Sequence, residues 1–127
     1  MIPQFDSCIV CEQIREELQG KLILLGFFGV CPHVDVSVAK LDQPTALTFL
    51  FAGGVGDGTF TAHFDIVDAS EQPVAGVGGT TFVATPATRT NLATTFLVIF
   101  GRPGLFAVRC IVDNVEQFRG YFRVGQL

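Results

Sequence analysis

Charged side chains are scarce in this chain. Only 16% of the 127 residues are charged, whereas 49% are hydrophobic, and the mean hydropathy is +0.48. A typical soluble domain carries about 25% charged residues. So little charge leaves too few polar groups to cover a small domain. We therefore expect a sheet that is covered on both faces, or a protein that associates with itself or with a partner.

Two of the three aromatic residue types are nearly missing. The chain has no tryptophan and one tyrosine, against thirteen phenylalanines. Interaction surfaces favour Tyr, Trp and Arg, so phenylalanine in this number predicts an aromatic core. The formal net charge of -4 argues against general nucleic-acid binding, which needs a basic surface.

No signal peptide or membrane span is indicated. The start, Met1 to Asp6, lacks a cationic stretch followed by an apolar one. The longest apolar run, residues 22–31, is about half the length of the roughly 20 residues that a span needs. We expect a cytoplasmic protein without a membrane span. Its four cysteines are then reduced thiols: Cys8, Cys11, Cys31 and Cys110.

Short segments with a period of two dominate the chain. Val34, Val36 and Val38 alternate with polar residues, and so do Phe106, Val108, Cys110 and Val112. Segments of this kind recur roughly every 8–15 residues without a long helical period. They predict an all-β fold in a single domain, residues 1–127. The expected architecture is an antiparallel two-sheet sandwich, Ig-like or C2-like, of about eight strands.

Residues 21–29, K-L-I-L-L-G-F-F-G, are apolar at consecutive positions. A run that is apolar on both faces favours a central strand covered from both sides, although periodicity alone leaves a buried helix open. Gly26 and Gly29 within the run favour a strand that contains a bulge or a bend.

The register of the last hairpin follows from the two faces it must present. A regular two-residue turn at Asp113-Asn114 would place Cys110 opposite Gln117 and mix apolar with polar residues on each face, which a half-buried sheet forbids. A three-residue loop, residues 113–115, or an equivalent bulge places Cys110 opposite Phe118 instead. We predict this longer connection.

The same register sets Arg109 opposite Arg119 on the outer face, with Tyr121 and Arg123 nearby. Like charges that face each other directly cost stability. Two interpretations are open. The guanidinium groups could extend into water with Arg109 stacked on Tyr121. Alternatively, these four residues could bind an anion or an acidic partner.

Candidate metal and catalytic motifs are weak. Cys8-x-x-Cys11 with Cys31-Pro-His33 offers four possible zinc ligands, but positions i and i+3 of a strand point to opposite faces. We interpret these cysteines as buried thiols and expect no metal. The glycine-rich stretch at residues 53–58 lacks the Lys-Ser/Thr pair of a phosphate-binding loop. No catalytic motif is present, so we expect neither enzymatic activity nor a cofactor.

The segment Val10 to Gly26, V-C-E-Q-I-R-E-E-L-Q-G-K-L-I-L-L-G, resembles the opening of a family of small bacterial proteins of unknown function. Members share a V-C-E-x-I-R-x-E-x-x-G-K-L-x-L-x-G pattern and a closing hairpin like the one here. The resemblance implies a β-sandwich. It implies no activity, cofactor or catalytic residue.

These features favour a non-enzymatic interaction module that binds a protein partner or self-associates through a sheet face. Four apolar residues occupy nominally outer positions and would form an interface if they lie on one sheet: Leu50, Leu97, Ile99 and Leu105. The alternative is a small ligand-binding module for an anion, calcium or a carbohydrate. It would use the arginine face or the loop at residues 53–58.

Overall fold

The computed structural model describes residues 1–127, which form nine β-strands and one short 3-10 turn, Leu18–Gly20. The strands are β1 Phe5–Glu16, β2 Leu22–Val30, β3 His33–Val38, β4 Thr45–Gly53, β5 Gly58–Asp68, β6 Pro73–Ala84, β7 Asn91–Val98, β8 Gly104–Val112 and β9 Val115–Gln126. No helix of the chain has the length and apolar character that crossing a membrane requires.

All nine strands belong to one sheet, in the order β6-β5-β8-β9-β3-β2-β1-β4-β7. Its two end strands, β6 and β7, come near each other, so the sheet curls into a nearly closed, barrel-like form. Neighbouring strands are antiparallel except β3 and β9, which are parallel. The core lies inside the curled sheet.

The all-β prediction is confirmed, but the structure does not show the two-sheet antiparallel arrangement, Ig-like or C2-like, that the sequence pattern predicts. The difference lies in β3, which joins the two halves of the sheet. It contacts β2 through only two residue pairs and runs parallel to β9 from Asp35 to Val38. Alternation within residues 33–38 identifies a strand and its inner face, but it carries no information on the neighbouring strands.

Phenylalanine fills the core, as the composition predicts. Phe49 contacts Phe96 edge to face, with ring centroids 5.6 Å apart, and Phe51 stacks on Phe64 at 5.2 Å. Offset and edge-to-face contacts of this kind add to the stabilisation from burial. The buried phenylalanines are Phe5, Phe49, Phe51, Phe64, Phe96, Phe100, Phe106 and Phe122.

The closing hairpin has the predicted register, reached by the bulge rather than by the longer loop. Asp113 and Asn114 form a two-residue turn with φ of 49° and 67°, so Val112 faces Val115. The register then shifts next to Cys110, which faces Phe118 as predicted. The tight turn and the required faces are therefore both accommodated, because the bulge absorbs the additional residue.

Candidate functional site

The sheet divides between β1 and β4. The two strands pair from Phe5 as far as Cys11, which faces Thr48. Beyond that point β1 continues only with β2, to Glu16, while β4 continues only with β7, to Thr45. Two backbone edges that would otherwise pair with each other are therefore free: residues 12–16 of β1 and residues 45–47 of β4. We call this opening the fork.

A bulge and a glycine with positive φ lie in the β1–β2 hairpin close to the point where β1 stops pairing with β4. The β1–β2 register shifts between Val10 and Cys11. Gly26 then adopts a φ of +64°, and a Cβ atom there would lie 2.5 Å from the side chain of Glu12. Only glycine combines this backbone conformation with such close packing. The sequence prediction of a bulge or bend at Gly26 is thus confirmed.

Threonine side chains close the base of the fork. The Thr48 hydroxyl donates to the carbonyl oxygen of Glu12 at 3.1 Å, and it lies 2.9 Å from the hydroxyl of Thr95. Thr48 is only 3% exposed. The Thr48 hydroxyl thus supplies a donor to the Glu12 carbonyl where the β1–β4 ladder ends, and these bonds hold the first residue of the fork in place.

A groove lies on each side of the fork. The larger, of about 700 Å³, is lined by the hairpin and by the outer face of β4 and β7. Its side chains include Glu12, Ile14, Glu16, Leu22, Leu50 and Ala93, and no lysine or arginine lines it. The smaller groove, of about 510 Å³, is lined by residues such as Leu25, Phe28 and Val36. Glu12, Gln13 and Ala46 line both grooves.

The hairpin exposes apolar side chains on both faces. Phe27 is 58% exposed, and Leu22, Ile23 and Leu25 are 45%, 42% and 37% exposed. The expectation that residues 21–29 are covered from both sides is therefore wrong for most of the run, although β2 does lie inside the strand order. Beyond Cys11, β1 pairs with β2 alone. This part of the hairpin therefore has no further strand beside it to cover its apolar side chains.

The arginine face is a network of ion pairs. Arg109 faces Arg119 as predicted. Arg109 also faces Asp65 of β5, and its Nε donates to Asp65 Oδ1 at 2.7 Å. Arg119 donates to Glu116 at 2.9 Å and to Glu71 at 2.6 Å. Three carboxylates thus offset the repulsion between the two guanidinium groups.

The same contacts change the pKa of both arginines. Hydrogen bonds to Glu116 and then to Glu71 raise the pKa of Arg119, and the hydrogen bond to Asp65 raises that of Arg109. The sequence did not reveal Asp65 and Glu71 as partners of the two arginines. Strand alternation does not show that β5, and with it the turn that follows β5, lies beside β8. Arg109 pairs with Asp65 and Glu116 rather than stacking on Tyr121, which was one of the two interpretations of this face.

Tyr121 and Arg123 lie farther along β9. Tyr121 faces Ala107, whereas Arg123 faces Leu105 on one side and Asp35 on the other. Arg123 therefore borders a separate shallow depression between β3 and β9. The structure brings Arg109 and Arg119 together and leaves Arg123 outside their ion-pair network.

The four outer apolar residues do not form one patch. Leu50 and Leu97 lie on neighbouring strands, β4 and β7, and Ile99 follows β7 directly. Leu105 lies on β8, in the other half of the sheet, beside Arg123. Of the four, Leu50 lines the larger groove.

The C-x-x-C pair does not converge. Cys8 belongs to the hydrophobic core, whereas the thiol of Cys11 lies outside that cluster and donates to the carbonyl of Gln13 at 3.6 Å. No group of three or more His, Cys, Asp or Glu side chains is close enough to hold a metal ion.

Solved structures similar to this chain include parts of two larger proteins and one protein of about the same length. A glycosyl hydrolase family 2 member from Bacteroides cellulosilyticus matches with a TM-score of 0.54 and 9% identity, over 96% of this chain and 26% of that chain. A second structure of a family 2 member from Bacteroides cellulosilyticus gives 0.53 and 9%, over 96% and 24%. A Niemann-Pick type C2 protein from Japanese carpenter ant gives 0.44 and 10%, over 98% and 94%.

This chain spans about a quarter of the length of the two glycosyl hydrolase chains. At 9% identity the likeness concerns the all-β fold alone. No protein-family model matches the chain, and a search of curated proteins finds no match either.

Proposed function

We propose that the protein is a non-enzymatic interaction module whose fork binds an extended segment of a protein partner. The observation that carries the proposal is the end of β1–β4 pairing at Cys11 and Thr48, while both strands continue. Free backbone edges are templates for an added strand. Main-chain hydrogen bonds to either edge would supply affinity without a dedicated side-chain pocket.

The two grooves would give this binding its selectivity. Successive side chains of a strand point to opposite faces of the sheet. A strand added at the fork would therefore direct alternate side chains into the groove beside Ile14 and Leu22 and into the groove beside Leu25 and Phe28. Both sets are apolar, so apolar residues at alternate positions of the partner would bury area that is now exposed.

Charge narrows the partner further. Glu12 and Glu16 are exposed in the larger groove, and no cationic side chain lines it. The whole chain carries a formal net charge of -4. Complementary charge steers encounter and excludes partners of like charge. The preferred segment would therefore carry lysine or arginine among its apolar residues.

Selection from a displayed library of random linear peptides tests this proposal. We expect enrichment of segments that alternate apolar residues and contain at least one Lys or Arg. Glu16→Lys should weaken binding of the enriched peptides at least about tenfold, and more at low salt, because the charge is reversed within the groove. Asp42→Lys is the matched control: Asp42 does not line either groove, and the substitution changes the net charge equally.

Failure to enrich any peptide would count against the proposal. So would enriched peptides whose affinity drops equally in the Glu16→Lys and Asp42→Lys proteins, because the charge effect would then be a property of the whole molecule.

Self-association through an edge strand is a second candidate function for an interaction module of this kind. β7 ends the strand order, has no charged residue within Asn91–Val98, and exposes 73% of Leu97. Natural edge strands usually carry charge or proline that prevents such pairing. A dimer in light scattering that dissociates in the Leu97→Lys protein would favour this candidate. A monomer at high concentration would remove it.

Ligand binding is the remaining alternative. A groove of about 700 Å³ lies within the size range of small-molecule sites, roughly 300–1,000 Å³. Anion binding by the arginine face also remains a prediction; it would involve Arg109, Arg119, Tyr121 and Arg123. It would have to compete with the carboxylates that already pair with Arg109 and Arg119. A thermal shift that rises with phosphate concentration would favour anion binding.

A cytoplasmic location is part of the proposed function as an interaction module.

A further inference from the structure

Cys8 and Cys31 lie directly opposite each other across β1 and the end of β2. Ile9 faces Val30 in this antiparallel pair, so one further step along both strands sets Cys8 against Cys31. The backbone N–H of Cys31 donates to the carbonyl oxygen of Cys8 at 2.9 Å, which continues the ladder to this pair. The two thiols are close enough to change each other's pKa.

Opposed positions of this kind suit a disulfide. Hydrogen-bonded partners in an antiparallel ladder have Cα atoms about 5.5 Å apart. Disulfides span Cα separations of about 4.4–6.8 Å. The Cα spacing of opposed residues such as Cys8 and Cys31 therefore falls within the range that a disulfide spans.

The two thiols differ in exposure and acidity. Cys8 is fully buried in the core, and burial raises the pKa of its thiol. Cys31 is half-buried, and its interaction with the neighbouring Cys8 thiol lowers its pKa. The thiolate is the nucleophile in sulfur chemistry. Cys31, the more exposed and more acidic of the two, is therefore the thiol that reacts first, and the position of Cys8 directly opposite makes it the resolving thiol.

We propose that Cys8 and Cys31 form a reversible disulfide when the protein meets a peroxide. The Cys31 thiolate attacks one peroxide oxygen, the O–O bond breaks, and Cys31 becomes a sulfenic acid while hydroxide leaves. The Cys8 sulfur then attacks the Cys31 sulfur, the S–OH bond breaks, and the Cys8 proton leaves with that hydroxyl as water. Two thiols and one hydrogen peroxide give one disulfide and two waters.

The other cysteines are poorly suited to this reaction. Cys11 faces Phe27 and Thr48 in the ladder, and Cys110 faces Phe64 and Phe118, so neither lies opposite a second cysteine. Burial also raises the pKa of both thiols, which makes them poor first nucleophiles. The reactive pair is therefore separated by 22 intervening residues and is not the C-x-x-C motif. Those intervening residues include the entire projecting hairpin, so the crosslink would fix its base.

Peroxide treatment of the native protein tests the proposal. After oxidation, the protein is denatured, alkylated and digested without reduction, and its crosslinked peptides are identified by mass spectrometry. We expect a Cys8–Cys31 crosslink that dithiothreitol reverses. We also expect the Tm of the oxidised protein to rise by at least about 5 °C, because the crosslink closes a loop in the unfolded chain.

Variants make the assignment specific. Cys31→Ser and Cys8→Ala should each abolish the crosslink and the rise in Tm, whereas Cys11→Ser and Cys110→Ser should retain both. Two independent variants guard against the case in which a substitution at buried Cys8 prevents folding. A crosslink between Cys8 and Cys11, Cys8 and Cys110, or two chains would overturn the proposal. So would overoxidation of Cys31 with Cys8 left as a free thiol.

Discussion

At the scale of single residues, the arginine face shows how a sheet tolerates directly opposed like charges. Arg109 and Arg119 face each other across β8 and β9. Glu116 lies 2.9 Å from Arg119 and 3.6 Å from Arg109, while Asp65 and Glu71 each hold one of the two arginines. The guanidinium groups are thereby fixed in place by carboxylates from β5, β9 and the β5–β6 turn.

Removal of Asp65 should expose this repulsion. Asp65→Ala is expected to lower the free energy of unfolding by about 1–3 kcal/mol, since Arg109 would keep its unfavourable neighbour and lose a charged hydrogen-bond partner. The side chains of Arg109 and Asp65 are only 25% and 19% exposed, so solvent screens the pair less than a surface pair. Urea denaturation of Asp65→Ala, Arg109→Ser and the double variant measures the coupling.

The double variant provides the decisive comparison. We expect it to lose clearly less stability than the sum of the two single variants, because each single substitution leaves one charge without its partner. Strict additivity would mean that Asp65 and Arg109 contribute independently, contrary to the ion-pair network described above.

At the scale of secondary-structure elements, the closing hairpin combines a tight turn with a bulge. Asp113 and Asn114 both have positive φ, the conformation of a type I′ turn. The Asp113 carboxylate also accepts from the backbone N–H of Thr61 at 3.2 Å, which ties the turn to β5. Asn114 makes no side-chain hydrogen bond of this kind, so its backbone conformation is its main contribution.

Asn114→Gly should therefore stabilise the protein. Glycine adopts positive φ without steric cost and is strongly preferred after Asp in such turns. We expect chemical denaturation to show a gain in the free energy of unfolding below the roughly 1–2 kcal/mol that the left-handed conformation costs most residues, because Asn already tolerates it. Asp113→Gly is the matched control, which gains the same freedom but loses the contact with Thr61 and should be neutral or destabilising. Destabilisation by Asn114→Gly would contradict the turn assignment.

The elements differ in how far the sequence predicts them. The register of β8 and β9 follows from the chain, because only one pairing of Cys110 keeps each face consistent. The burial of residues 21–29 is predicted wrongly, because an apolar run has the same sequence pattern whether it is covered or projects into solvent. The fork itself depends on where β1 and β4 stop pairing, and no residue of either strand signals that point. The neighbours of β3 are equally hidden.

At the scale of the whole molecule, the structure shows where the many apolar side chains of this weakly charged chain lie. One sheet curls round a phenylalanine core, and its inner face accounts for most of the buried residues. The remaining apolar side chains include those of the projecting hairpin, which is exposed on both faces. An exposed apolar surface rimmed by polar residues is typical of a binding site. The fork lies at the base of this surface.

Chemical-shift mapping of a selected peptide on the isotope-labelled protein tests the central proposal most directly. We expect the largest amide shifts at residues 12–16 and 45–47, with smaller shifts along β7, and protection of the newly paired amides from hydrogen exchange. Shifts centred on Arg109 and Arg119, with residues 12–16 and 45–47 unchanged, would contradict binding at the fork.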